Sequence, residues 1–250
     1  MNSSWIKCKF GKSTDTYDEN AYAQKEIAKK LAALISGMYS NMPETIFEIG
    51  CGTGLLTKNI LPLFAGAHYY LNDINEKVEL LIHALFPDNN FTFIEGDALS
   101  IDFPCGTDLI VSSSTLQWFD NLSVFARKAH QCLSAKGHMF LSTFGKNNLK
   151  EIRQITGTGL EYSSLEVLKD LFSSDFEILH LSEEEIPVSF NSPLEILSHF
   201  RRTGVNANCS GIMRTRSDIK SFCDKYDRMF SNGTEVILTY NPIYLVLRKK

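Results

Sequence analysis

The sequence predicts an α/β fold, a doubly wound and mostly parallel sheet, on two observations. From Thr45 to Phe144 short apolar runs alternate with stretches of helical period, joined by brief turns. That is the pattern of strand–helix–strand units, whose sheet is covered on both faces and wound by right-handed crossovers. Secondly, Gly-rich or acidic clusters stand at the carboxyl ends of several runs, where ligands bind on such sheets. The length of 250 residues fits one domain, and 44% hydrophobic content with only 7 Pro and 15 Gly excludes a collagen-like or largely disordered chain.

The elements follow in order. Asp18 to about Met38 reads as a helix, with Ala21, Ile27, Ala28, Leu31, Leu34 and Ile35 at helical spacing and Pro43 beyond its stop. Thr45 to Ile49 is a short apolar strand running into Gly50-Cys51-Gly52-Thr53-Gly54 and a helix over Leu55 to Phe64. Strands at Ala67–Leu71, Phe91–Ile94, Asp108–Val111 and Gly137–Phe144 enclose helices at Glu76–Phe86 and around Leu122–Leu133. Beyond them, Ser164–Phe172, Leu194–Phe200 and Ser217–Phe230 read as helices and Phe176–Ile186 as a strand region. Glu235–Thr239 and Ile243–Leu247, split by Asn241-Pro242, read as a terminal hairpin. The whole is one domain: a lid helix over 1–40, a ligand-binding core over 41–189, a helical insertion over 190–234 and a closing strand over 235–250.

Composition narrows the function. A net charge of −4 argues against nucleic-acid phosphates as the main partner. The six cysteines form no C-x-x-C pair, and the six histidines have no metal-site spacing, so no metal is expected. The start of the chain lacks a signal-peptide core, and no run approaches the ~20 apolar residues of a membrane helix. A cytoplasmic monomer that binds neither membrane nor nucleic acid is the expectation.

In the Glu48–Gly54 loop the glycines fall at relative positions 0, 2 and 4. The dinucleotide fingerprint requires 0, 2 and 5, and the Lys-Ser/Thr of a nucleotide-triphosphate loop is absent. Taken alone, the glycines fit an ordinary strand-to-helix turn as well as a backbone approached by a ligand. Two acids change the balance. Asp73 ends the second strand, where a carboxylate can accept from two ribose hydroxyls. Asp97 ends the third, placed for an adenine amino group.

On these residues the chain resembles the class I S-adenosylmethionine-dependent methyltransferases. Glu48 to Gly54 matches their E-x-G-x-G-x-G loop, Asp73 the acid after the second strand and Gly96-Asp97 the Gly-Asp pair. Leu133-Ser134-Ala135-Lys136-Gly137 matches their L-K-P-G-G turn only in part. The resemblance covers about residues 45 to 145. It implies a seven-stranded Rossmann-like sheet, an N-terminal helix and a helical insertion before the last strand. The implied cofactor is S-adenosylmethionine, leaving as S-adenosylhomocysteine. It would be held by Gln24, Glu48, Gly50, Cys51, Gly52, Gly54, Asp73, Ile74, Asp97, Ala98 and Ser113.

Outer segments resemble a narrower family, the malonyl-[acyl-carrier protein] O-methyltransferases of biotin synthesis. These are Phe10–Ser13, Tyr17–Gln24, Ser114–Leu122, Ser142–Gly145, Leu149–Arg153 and Thr203–Ala207, with a Ser where the family often has Asn near the start of its N-x-x-L-Q-W segment. The implied reaction esterifies the free carboxyl of a malonyl thioester, borne by an acyl carrier protein or coenzyme A. Tyr17 and Arg153 are then the catalytic candidates, and Trp118, Phe144, Arg201 and Arg202 the substrate contacts. Residues 199–228 carry seven basic and three acidic side chains, a patch suited to an acidic carrier protein. Other small-molecule or protein methyltransferases, or a non-catalytic cofactor binder on the same fold, remain alternatives.

Overall fold

The computed structural model describes residues 17–86, 88, 90–203 and 215–250. Residues 17–20 are helical, and after Ala21 helix α1 runs over Tyr22–Met38. Then follow β1 (Thr45–Ile49), α2 (Thr57–Ile60), β2 (His68–Asp73), a 3-10 turn (Glu76–Val78), α3 (Glu79–His83), β3 (Phe91–Glu95) and β4 (Thr107–Ser113). A 3-10 turn (Leu116–Trp118) leads to α4 (Leu122–Cys132), β5 (Leu133–Phe144), α5 (Lys150–Thr156), α6 (Leu165–Ser173) and β6 (Phe176–Glu183). The chain closes with β7 (Ile186–Phe190), α7 (Pro193–Thr203), α8 (Arg216–Phe230), β8 (Val236–Tyr240) and β9 (Pro242–Lys249).

The main sheet has seven strands in the order β3-β2-β1-β4-β5-β9-β6. β1 to β5 pair in parallel, and β9 enters antiparallel between β5 and β6. The central strands are buried almost without interruption, because successive side chains point to opposite faces and both faces are covered. Leu109 and Val111 pack on one face with Phe140 and the Ile27, Leu31 and Ile35 stripe of α1. Ile110 packs on the other with Met139, Leu141, Phe125 of α4 and Phe172 of α6. The doubly wound class, the seven strands and the leading helix are therefore as the sequence implies.

Two expectations fail. The terminal hairpin does not form: β8 pairs with β7 in a separate two-stranded sheet, while β9 pairs with β5 and β6. Asn241-Pro242 is a crossing between the sheets. Asn241 is buried, donates from Nδ2 to the Glu184 carbonyl at 2.8 Å and accepts from Asn147 N–H at 3.0 Å. Those bonds fix the chain as it changes sheet. The insertion α7–α8 is thus carried on a β7–β8 stem, whose Pro187 suits an edge strand without a ladder donor. The helix expected over Leu55–Phe64 shrinks to α2: Leu61 keeps helical backbone and bonds the Thr57 carbonyl, but Pro62 after it supplies no N–H to continue the ladder.

Candidate functional site

Strand order reverses between β1 and β4, and the carboxyl ends of β1 to β4 surround a cleft there. Its empty space is about 1220 Å³, open solvent at the mouth included. The glycine loop lines it. Gly50, Gly52 and Gly54 have φ of 67°, 51° and 78°, the left-handed region that glycine enters freely. A Cβ on Gly50 would stand 2.2 Å from Thr115 Oγ1, and one on Gly54 2.6 Å from Leu85 Cδ1, so packing requires both. A Cβ on Gly52 would meet no protein atom within 4 Å, and Gly52 lines the cleft. Its bare backbone is open to a ligand.

Asp73, at the end of β2, accepts from Gly52 N–H through Oδ2 at 2.9 Å and from Asn75 N–H through Oδ1 at 2.8 Å. Burial raises its pKa, opposed by the backbone donors of Asn75, Gly52 and Ile74. A carboxylate has about four acceptor directions, so capacity remains for a ligand. Asp97 accepts from Leu99 N–H at 2.9 Å. The carbonyls of the loop behind it are gathered by Lys128 of α4, whose Nζ donates to Ala98 at 3.2 Å, Leu99 at 3.1 Å and to Ile101. Glu48 is buried under the glycine loop, where Thr57 Oγ1 donates to its Oε2 at 2.6 Å. Burial, and secondarily the Asp73 charge, push its pKa up to about 8.

Tyr17 and Gln24 bring the N-terminal segment into the cleft lining. Asp18 fastens this segment to the glycine loop: it accepts from the Thr53 hydroxyl and pairs with Lys58 Nζ at 3.0 Å. Burial raises the Tyr17 pKa, with the Asp18 and Asp73 charges adding, so its hydroxyl stays neutral. Ser114 continues the cleft past β4 at φ 56°, uncommon for a residue with a Cβ. Its carbonyl accepts from Gln117 Nε2 at 2.6 Å. Gln24 Oε1, Asn75 Nδ2 and Ser114 Oγ are buried without a protein hydrogen bond, and all three residues line the cleft. Buried polar groups are nearly always bonded, so these atoms suit a polar ligand.

Of the residues proposed from sequence, Tyr17, Gln24, Glu48, Gly50, Cys51, Gly52, Asp73, Ile74, Asp97, Ala98, Ser113 and Trp118 line this one cleft. Gly54 lies behind it, in the loop's packing. Phe144, Arg153, Arg201 and Arg202 are not in the lining. Arg153 Nη1 donates to the Lys146 carbonyl at 2.8 Å, and its guanidinium lies 5.7 Å from the Tyr162 ring centroid. Phe144 packs edge-on against Tyr162 and at a tilt against Tyr240. Arg201 and Arg202 are exposed on α7, with Arg202 Nη1 3.3 Å from Asn20 Oδ1. Phe10–Ser13, residues 204–207 and Arg214 lie outside the described residues. Sequence reasoning missed Asn75 and Thr115. Asn75 follows Asp73 by two and caps the 3-10 turn by accepting from Lys77 N–H at 3.2 Å, a local signal that could have marked it.

A family model described as a methyltransferase domain matches residues 47–141. Among solved structures, the YcgJ protein of Bacillus subtilis superposes with a TM-score of 0.65 at 16% identity, over 88% of this chain and 97% of that one. A putative sarcosine dimethylglycine methyltransferase of Galdieria sulphuraria gives 0.56 at 13% identity, over 89% and 85%. At those identities the likeness is one of fold. Fold and family model together define a methyltransferase-domain protein of Rossmann-like architecture. A malonyl-[acyl-carrier protein] O-methyltransferase of Bacteroides thetaiotaomicron is 38% identical over all of this chain and 99% of its own length. The chain spans half the length of a Bacteroides fragilis relative of the same name, 41% identical over 98% of this chain. The chain belongs to the malonyl-[acyl-carrier protein] O-methyltransferase family.

Among the described residues no helix is long and apolar enough to cross a membrane, and no cluster of His, Cys, Asp and Glu could hold a metal.

Proposed function

We propose that this protein methylates the free carboxyl of a malonyl group carried as a thioester on acyl carrier protein, using S-adenosylmethionine, the step that the family resemblance places in biotin synthesis. The carrying observation is the end-to-end match to a relative of that name, over 100% of this chain and 99% of the relative. The cleft supports it chemically.

The cofactor, when bound, supplies an electrophilic methyl on a sulfonium. Asp73 is assigned to the ribose hydroxyls and Asp97 to the adenine amino group. The bare backbone at Gly52 and the unpartnered amide atoms of Gln24 and Asn75 are assigned to its amino-acid end. A malonyl carboxylate is already ionised at neutral pH, so no general base is needed. None of the described residues lining the cleft is a histidine. The protein's work is to align the acceptor and to limit its hydration. Tyr17, whose hydroxyl stays protonated, donates to the acceptor carboxylate, and Trp118 supplies an apolar wall. Arg153 acts at one remove, holding Tyr162 and through it Phe144. Arg201 and Arg202, with Arg216, Lys220, Lys225 and Arg228 of α8, are assigned to the acidic carrier.

Cofactor carrying a labelled methyl group, offered with malonyl-carrier protein, malonyl-coenzyme A and free malonate, tests the reading. Label should enter the malonyl thioester as a base-labile ester, fastest on the carrier protein. Label absent from every malonyl thioester, under conditions where the cofactor binds, would sink it.

A further inference from the structure

The cleft assigned to a carboxylate substrate is walled without cations: among its described lining residues none is Lys, Arg or His. Arg153, the guanidinium expected from the sequence, lies outside the lining and donates to the Lys146 carbonyl. Within that lining, the donors left for a carboxylate are neutral. The tip of β4 carries three hydroxyls in a row. Ser113 Oγ accepts from Ser142 Oγ at 3.2 Å, and Thr115 Oγ1 bonds the Ser113 and Gly50 carbonyls at 3.3 and 3.4 Å. Ser114 Oγ is buried and has no protein hydrogen bond, and Ser114 lines the cleft.

The backbone at Ser114 is held in a costly shape. Its φ of 56° is left-handed, which a residue with a Cβ keeps only where its surroundings over-determine it. Here they do. The Ser114 N–H donates to both the carbonyl and the hydroxyl of Ser142, at 3.1 and 3.2 Å, and Ser142 is fully buried on β5. The Ser114 carbonyl accepts from Gln117 Nε2 at 2.6 Å. The 3-10 turn that holds Gln117 also carries Trp118, so one short segment sets both the strained serine and the apolar wall. Rotation about χ1 gives the hydroxyl three staggered directions, so it can meet a reactant without a backbone change.

The sheet order indicates which reactant. Across β3, β2, β1 and β4 stand Asp97, Asp73, the glycine loop and Ser114 in succession. Adenine and ribose are assigned to the first two, so the acceptor side of the cleft is the β4 side. We propose that the Ser114 hydroxyl donates a hydrogen bond to the acceptor carboxylate, as a substrate-specificity residue fixed by its left-handed turn on the approach to Trp118. A neutral donor orients the carboxylate while holding it less tightly than a guanidinium, which leaves a lone pair for the methyl.

The inference rests on the function proposed above, and its test separates the two. Carrier protein bearing a malonyl group, and the same carrier bearing an acetyl group, which lacks the carboxylate, are titrated calorimetrically into enzyme saturated with S-adenosylhomocysteine. Wild-type enzyme should bind the malonyl form more tightly. Ser114→Ala removes the hydroxyl and keeps the Cβ. It should weaken the malonyl form about tenfold and leave the acetyl form and S-adenosylhomocysteine within about twofold. Ser114→Gly should show the same selective loss with a raised thermal midpoint, because glycine enters the left-handed region freely, so the loss is not one of folding. An equal loss for both carriers, a loss of like size for S-adenosylhomocysteine, or unchanged malonyl affinity in both variants overturns the inference. Wild-type enzyme that binds S-adenosylhomocysteine but passes no label to malonyl-carrier protein overturns the proposed function itself, and this inference with it.

Discussion

Asp73 is the side chain on which ligand and protein compete most directly. Two of its acceptor directions are spent on the Gly52 and Asn75 amides, which hold the glycine loop against the end of β2. Asp73 lines the cleft, and its remaining acceptor capacity is what the proposed function assigns to the ribose hydroxyls. Asp73→Ala therefore removes ligand bonds and loosens the loop that lies along the ligand. Hydrogen bonds to a charged group are worth about 1.5–3 kcal/mol each, so the S-adenosylhomocysteine dissociation constant should rise roughly a hundredfold or more. Calorimetry checks this, and a change under threefold would remove Asp73 from the cofactor site. Asp73 was legible in the sequence because an acid at a strand's carboxyl edge, some twenty residues past a glycine loop, is a local pattern. The contact of His199 Nε2 with the Tyr240 hydroxyl, at 2.6 Å, was not. The two are 41 residues apart in sequence, and only the β7–β8 stem brings them together.

Among the elements, α4 serves the site without entering it. Asn121 caps it by accepting from Ser123 and Val124 amides at 3.0 and 3.2 Å, and Lys128 lies in its second half. The lysine places all three donors on carbonyls of the loop that follows Asp97, with its Nζ 4.7 Å from the Phe103 ring centroid. Lys128→Met keeps the apolar stem but strips three carbonyls of their partner. The expected loss of stability is about 1–3 kcal/mol by denaturant titration, with weakened S-adenosylhomocysteine binding. Unchanged cofactor affinity would confine Lys128 to folding. The sequence reading placed α4 well, because its apolar stripe and Asn cap are local. It misread β8 and β9 for the opposite reason. A run of apolar residues, a turn dipeptide and another run fit a hairpin locally, and only the burial of Asn241 against Glu184 and Asn147 decides that the chain changes sheets. Pro62 was in plain view and should have shortened the helix expected over Leu55–Phe64.

For the molecule as a whole, two buried groups favour neutrality, and their effects on stability run in opposite directions with pH. Burial depresses the His199 pKa from 6.5 to about 4. Between those values the unfolded chain binds a proton that the folded one refuses. Its contribution is therefore full above pH 6.5 and lost as pH falls towards 4. Glu48 is raised from 4.5 to about 8. There the folded chain holds the extra proton, so its contribution is full below pH 4.5 and lost as pH rises towards 8. Each slope is about 1.4 kcal/mol per pH unit, so the two oppose each other from pH 4.5 to 6.5, and above 6.5 only the Glu48 slope of this pair continues. Substitution uncouples them in ligand-free protein. Glu48→Gln keeps an acceptor for the Thr57 hydroxyl and removes the titration, so its stability relative to wild type should climb from pH 5 to 8. His199→Gln should instead gain on wild type as pH falls from 6.5 to 4. Denaturant titrations at intervals across pH 4–8 measure both differences. Curves parallel to wild type would mean that these groups titrate alike in the folded and unfolded chains, and that neither the glycine-loop floor nor the insertion contact excludes water as the buried side chains imply.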